Sequence, residues 1–462
     1  MGAEVSEAPA APTPGTATEL ARLVRLGTPV ALAQLALMGM GVVDTLFAGR
    51  VSAEDLAGVA LGGNVLWPTL LLLMGALMAL TPNVAQLHGA GRTHEIGELV
   101  RQGVWLALGL AAPAVLVLSH GGAVYRLVGA DAAILPYAVA YLDWVRLGVP
   151  AILLFVVGRY LCDGLGDTRP AMVVIGAAFL LNAFLDWVLV FGRLGAPALG
   201  GPGCGLATAL VLWFELLAMA AIVCLRRYRV PTRLFERFSP PDPRRLAALA
   251  RLGIPIGLAS FFEVAAFSIV TLLVARLGAV AVAAQQIAFS INGILFMVPM
   301  SLGMAATIRI GHHLGAGRGD DARHTARVAM ATSVTLGLAF AAFVAFVRTP
   351  LVALYTTEAD VVGLGARLLL FLAVYIVVDS MQATAIGALR GYKDTRAPML
   401  ITLFGYWIVA VPLGSGLGLG WVGPGLGVDG FWIGLATGLA VVAFGLSARL
   451  LRVAAPRTRA VA

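Results

Sequence analysis

The sequence predicts an all-α membrane protein of twelve spanning helices, built from a duplicated six-helix unit. Three observations carry that prediction. The 462-residue chain is 60% hydrophobic and only 12% charged, against about 25% charged in soluble domains. Apolar runs of about 20 residues, the length a helix needs to cross a bilayer's hydrocarbon core, recur along the whole chain. The second half also repeats motifs of the first.

Taken in order, residues 1–26, with "APAAPTPGTAT", are Pro/Ala/Thr-rich. They lack the basic and apolar regions of a signal peptide and read as a disordered cytoplasmic tail. Apolar runs broken by Gly, Pro and Arg then give spans near 28–48, 58–80, 101–119, 138–160, 170–191 and 203–225. The stretch 226–252, "RRYRVPTRLFERFSPPDPRR" at its heart, is the longest connection and the natural seam. Further spans follow near 253–275, 283–307, 327–347, 366–387, 397–419 and 429–450, and residues 451–462 form a second tail. The expected units are therefore an N-lobe (27–225), a linker (226–252) and a C-lobe (253–450).

The net charge of +8 is a topology signal, not a nucleic-acid footprint. Of 32 Lys and Arg, 25 fall in or at the edges of the tails and the loops after even-numbered spans. The opposite loops hold only Arg50, Arg126, Arg193, Arg276 and Arg348. The positive-inside rule puts both termini in the cytoplasm. The 31 Arg to one Lys point to a GC-rich bacterium, and the expected location is a bacterial inner membrane.

Gly27, Pro29, Thr45 and Arg50 recur 226 residues on as Gly253, Pro255, Thr271 and Arg276. The same offset carries "HGAGR" (88–92) onto "LGAGR" (314–318), and one more residue carries "GLGDTR" (164–169) onto "GYKDTR" (391–396). Six spans per unit is an even number, so both copies enter from the same side, as in parallel-repeat transporters.

Five acids lie well inside the spans: Asp44, Asp186, Glu215, Glu263 and Asp379. Each costs about 2.5–3.5 kcal/mol at mid-bilayer on insertion scales, and such residues mark ion or substrate paths. The repeat does not duplicate them. Glu263 maps to Leu37, Asp44 to Val270, Asp379 to Ile152 and Asp186 to Leu413. Asn182 shares a helix face with Asp186, and Tyr375, Asp379 and Gln382 form one polar stripe. Thr208 and Glu215, seven apart, also share a face. No Arg is expected at the depth of Glu263 and Asp379, so these acids are candidates for exchanging a proton against Na+ or a cationic solute. Gln34 and Gln285 complete the candidate set.

Other chemistries are excluded. The only lysine, Lys393, lies outside any GxxxxGK[ST] motif, so the chain is not its own ATP motor. The six histidines lack zinc spacing apart from the adjacent His312–His313, and Cys162, Cys204 and Cys224 lack redox spacing. No cofactor is expected, and no nucleophile–base set is apparent, so the chain is not read as an enzyme. Phe261, Phe262, Phe267, Phe289, Trp67 and Tyr375 are candidates to stack on cations, with packing the commoner role for the phenylalanines.

The stretches "PVALAQLALMGMGVVDTLFAG", "MALTPNVAQLHGAGR", "AAQQIAFSINGILFMVPMSLGMAATIRIG" and "ALRGYKDT" resemble the multidrug and toxic compound extrusion (MATE) antiporters, specifically the NorM-type branch. The likeness covers residues 20–450. It implies two six-helix lobes around a central cleft, and export of cationic and amphiphilic drugs driven by inward Na+ or H+. It aligns Asp44 with the family's first-helix acid, Glu263 with its seventh-helix acid, and Asp379 with Tyr375 with its tenth-helix pair. Asn182 and Asp186 match a helix-5 pair that is often two Asn in relatives, and Gln285 stands where relatives often have His. A coupling Na+ is expected at Glu263, Asp379 and Tyr375, in a chain acting as a monomer in the lipid bilayer. The competing reading is a flippase for lipid-linked saccharides. Its cleft would need Arg or Lys for pyrophosphate, whereas this core is acidic. A membrane enzyme or receptor would need a catalytic cluster or soluble domain, and neither is visible.

Overall fold

The computed structural model describes residues 15–128, 131–421 and 423–455. Among these there is no β-strand, and twelve helices are long and apolar enough to cross a membrane. They are α1 (Thr16–Gly49), α2 (Ala53–Gly89), α3 (Thr93–Ser119), α4 (Leu135–Gly164), α5 (Arg169–Phe191), α6 (Gly201–Val223), α7 (Pro243–Leu277), α8 (Ala279–Gly315), α9 (Gly319–Ala353), α10 (Ala359–Gly391), α11 (Arg396–Gly418) and α12 (Val428–Ala454). Two short helices, Gly121–Val128 and Arg226–Thr232, lie outside this set. In lipid every backbone N–H and C=O must be satisfied by the protein itself, and a helix does so within one segment, which suits long continuous apolar runs of this kind.

Several expected boundaries move. Helix α1 begins at Thr16, so residues 16–26 of the expected tail are ordered helix; residues 1–14 lie outside the described residues. Helix α7 begins inside the expected linker, at Pro243. Pro at the first helical position costs no hydrogen bond, and the Asp242 side chain accepts from the Arg244 amide to cap it. The rest of the linker is fixed to α3. Glu98 accepts from Ser239, Arg101 and Arg237, and Trp105 donates to the Ser239 carbonyl.

Irregular turns precede three of the prolines. Pro cannot donate to the carbonyl four residues earlier, so the helix loosens there. A 3-10 turn at Arg146–Gly148 precedes Pro150 in α4, and Val347 leaves helical geometry (φ −104°, ψ 19°) ahead of Pro350 in α9. In α11 a π-helical segment, Phe404–Ala410, precedes Pro412.

The helices form two six-helix lobes, each with its own apolar core. One is centred on residues of α1–α6 and the other on residues of α7–α12. The helix starts are exchanged. Leu23 of α1 is buried in the second core, and Leu249 of α7 in the first. The loops after even-numbered helices gather the arginines, and this side of the molecule is termed the basic end. There the lobes touch through backbone. A Cβ on Gly75 would overlap Gly257, one on Gly253 would overlap the Ala76 carbonyl, and one on Gly315 would overlap the Gln86 carbonyl. Only residues without side chains allow this approach, so the cleft between the lobes is closed at its basic end.

A buried charge cluster reinforces the closure. Arg309 of α8 donates to both carboxylate oxygens of Glu19 at 2.9 and 2.7 Å, and Thr325 of α9 donates to Glu19 at 2.8 Å. Gln86 donates to the Gly391 carbonyl across the same seam.

Candidate cation and substrate sites

In the second lobe, α7, α8, α10 and α11 converge on one polar cluster. Glu263 Oε1 accepts from Tyr406 Oη at 2.9 Å and from Gln382 Nε2 at 3.0 Å. Tyr406 Oη also lies 3.3 Å from Gln382 Oε1. Asp379 receives one long bond, 3.3 Å from Asn292 Nδ2. Asp379, Gln382, Tyr375 and Tyr406 are all buried. Among the described residues no salt bridge reaches either carboxylate, whose partners are the amides and phenol just named. Tyr375, Asp379 and Gln382 are buried on one face of α10, as the turn spacing of the helix requires.

Aromatic rings wall this cluster. Phe267 stacks edge-on against Tyr406 (5.6 Å between centroids), Phe289 lies 5.6 Å from Phe267, and Trp432 stands 5.5 Å from Phe289 and 6.1 Å from Tyr375. Ring faces beside carboxylates suit organic cations, since both attract positive charge. Trp67, by contrast, is exposed and apart from this wall.

The first lobe holds a different arrangement. Asp44 of α1 faces Asp186 and Asn182 of α5 and Thr208 of α6. Asp186, Asn182 and Asp44 are buried, and Oδ1 of Asp44, both carboxylate oxygens of Asp186 and Oδ1 of Asn182 find no hydrogen-bond partner among the described residues. Buried acceptors without donors are rare and costly.

Three expected residues go elsewhere. Thr208 and Glu215 share a face of α6, but only Thr208 joins the Asp44 group. Glu215 is fully buried with no hydrogen bond among the described residues, in the field of Arg159. Gln34 also meets Arg159 (3.5 Å) instead of an acid. Gln285 is buried against Thr271 (3.0 Å). Arg159, next to last in the expected span 138–160, is the partner that Glu215 and Gln34 share. It is buried inside α4, 3.7 Å from Asp163. Sequence reasoning also missed Tyr406 and Asn292. The signal for Tyr406 was a tyrosine within an otherwise apolar span, because a buried Tyr hydroxyl needs a partner.

No group of three or more potential metal ligands among His, Cys, Asp and Glu occurs among the described residues. Any Na+ would rest on two carboxylates helped by amide and phenol oxygens.

Comparison with known proteins agrees with this architecture. The MatE family model matches residues 29–188 and 255–415, one block per lobe. The chain is 42% identical over 437 residues to the multidrug resistance protein NorM of Vibrio vulnificus, covering 94% of this chain and 95% of that protein. It is 41% identical over 434 residues to the multidrug resistance protein MdtK of Yersinia enterocolitica, again covering 94% and 95%. Its backbone matches the crystal structure of the eukaryotic MATE transporter AtDTX14 with a TM-score of 0.86, at 20% identity, over 95% of this chain and 96% of that one. The chain belongs to the MatE family, the multidrug and toxic compound extrusion group whose motifs it carries.

Proposed function

We propose that this protein is a secondary antiporter that exports cationic and amphiphilic drugs in exchange for Na+ or H+. The observation that carries this reading is the Glu263–Asp379 cluster: one half-buried and one buried carboxylate, neither in an ion pair among the described residues, inside an aromatic wall. A bound drug and a coupling cation would compete for the same negative charge. Relatives named for multidrug resistance support the cargo. Energy comes from the ion gradient, since the chain has no phosphate-binding lysine motif.

The mechanism is alternating access. The lobes 27–225 and 253–450, joined by 226–252, rock against each other around the central cleft. The closed glycine seam at the basic end corresponds to a state open to the outside, with both termini and the basic loops in the cytoplasm of a bacterial inner membrane. Cation entry at Glu263 and Asp379, or at Asp44 and Asp186, releases drug outward. Only differential affinity between the two states drives the cycle.

The test is ethidium efflux in a pump-deficient bacterium, comparing wild type with Glu263→Gln, Asp379→Asn and Asp44→Asn at matched membrane levels. Single neutralisations are expected to lower efflux at least tenfold, and varying Na+ at fixed pH names the ion. Wild-type efflux by all three variants would defeat the coupling assignment. No drug movement by the wild type would defeat the cargo assignment.

A further inference from the structure

The mid-membrane acids differ between the lobes, but one constellation at the basic end survives in both. In the first lobe Arg25, Leu26, Asp167, Thr168 and Arg169 line a cavity of about 690 Å³. In the second, Arg251, Leu252, Asp394, Thr395 and Arg396 line one of about 960 Å³, together with Lys393. These are the same residues one repeat on. The frame is the same too. Thr168 donates to the Leu26 carbonyl at 2.9 Å, and Thr395 donates to the Leu252 carbonyl at 2.9 Å.

The acid of each set is already engaged. Asp167 accepts from Tyr228 at 2.7 Å and pairs with Arg227, and Asp394 accepts from Arg449 at 2.6 Å. The arginines are not. Arg25, Arg169, Arg251, Arg396 and Lys393 make no side-chain hydrogen bond or ion pair among the described residues, in contrast to Arg101, Arg237 and Arg245 nearby. Each cavity also meets a helix N-terminus, that of α5 at Arg169 and that of α11 at Arg396. Helix starts favour anions. A topology signal requires only positive charge in a loop. It does not require a cavity, a repeated hydrogen bond and two free guanidinium groups in each lobe. The first cavity is also lined by Val173 and Leu225, exposed apolar side chains that suit acyl chains instead of water.

We propose that these two cavities each bind the phosphate headgroup of an anionic phospholipid, with Arg25 and Arg169 clamping one and Arg251, Arg396 and Lys393 the other. Basic pockets between helix ends at a membrane surface have the chemistry for such headgroups, and guanidinium forks fit phosphate oxygens in pairs.

The experiment counts lipids retained by the purified full-length protein in native mass spectrometry, after titration with phosphatidylglycerol or phosphatidylcholine. The expected result is two tightly held phosphatidylglycerols and no comparable phosphatidylcholine. The double variants R25Q/R169Q and R251Q/R396Q should each lose one, with at least a tenfold weaker site. R348Q, at the opposite end, should keep both. Equal retention of the two lipids by the wild type overturns the proposal without any variant. So does a loss in R348Q as large as in the double variants. If inorganic phosphate raises the thermal stability of the wild type while phosphatidylglycerol does not, the sites take free phosphate and the lipid assignment falls.

Discussion

Leu23 and Leu249 stand one repeat apart, and each is buried in the core of the opposite lobe. The first turns of α1 and α7 are therefore exchanged straps. Around Leu23 the strap is held by Glu19 on Arg309 and Thr325. Around Leu249 the polarity is reversed, with Arg245 of the strap 3.5 Å from Glu98 of α3.

The Glu19 strap is the stronger of the two, because Glu19 is fully buried while Arg245 is half exposed. Breaking one partner of a buried pair costs about 3–5 kcal/mol. Glu19→Gln is expected to lower the unfolding temperature of the purified protein by several degrees, and Arg245→Gln to leave it nearly unchanged. Equal thermal shifts would show that burial does not set the difference.

The glycine seam predicts a state-selective block. Gly257→Ala inserts a methyl group against the Leu72 carbonyl, a clash present only while the basic end is closed. Distances between spin labels on the two lobes should move toward the open-basic-end population, and efflux should fall severalfold. An unchanged distance distribution would mean that α2 and α7 can yield locally.

Tyr406 tests the second-lobe cluster. Its hydroxyl donates to Glu263, and hydrogen bonds to charged groups contribute about 1.5–3 kcal/mol. Tyr406→Phe should change the cation concentration that half-saturates efflux by roughly tenfold or more. A normal cation dependence would place Tyr406 in packing alone.

Asp44 and Asp186 face each other, and Asp44 Oδ1 and both Asp186 oxygens have no hydrogen-bond partner among the described residues, so the pair is expected to act as one unit. Asp44→Asn with Asp186→Asn should impair efflux no more than the worse single change, whereas independent sites would multiply their losses. Transport rates for the four proteins complete the cycle.

The span count and the duplication were legible because hydropathy and repeat offset are local properties of the chain. The buried acids were legible for the same reason: a charge inside an apolar run is conspicuous by itself. What was not legible depends on which helices meet. Glu19 reads as a tail residue until α8 supplies Arg309. Arg159 stands at the end of the expected span 138–160, and only the continuation of α4 past it buries it against Asp163. Thr208 and Glu215 share a face, yet two turns of helix separate them into different neighbourhoods. Tyr406 needed the knowledge that α11 passes Glu263.

The π-helical segment Phe404–Ala410 has a consequence for that last contact. A π turn is an ordinary helix holding one surplus residue, and the surplus can be handed along the helix by exchanging hydrogen-bond partners. Moving it past Tyr406 would rotate that side chain by about 100°, one residue's share of a 3.6-residue turn. Helix α11 thus stores a register step that can withdraw the phenol from Glu263 while both helix ends stay anchored. A cation-bound structure in which Phe404–Ala410 is plain α-helix, with Tyr406 turned away, would be its signature.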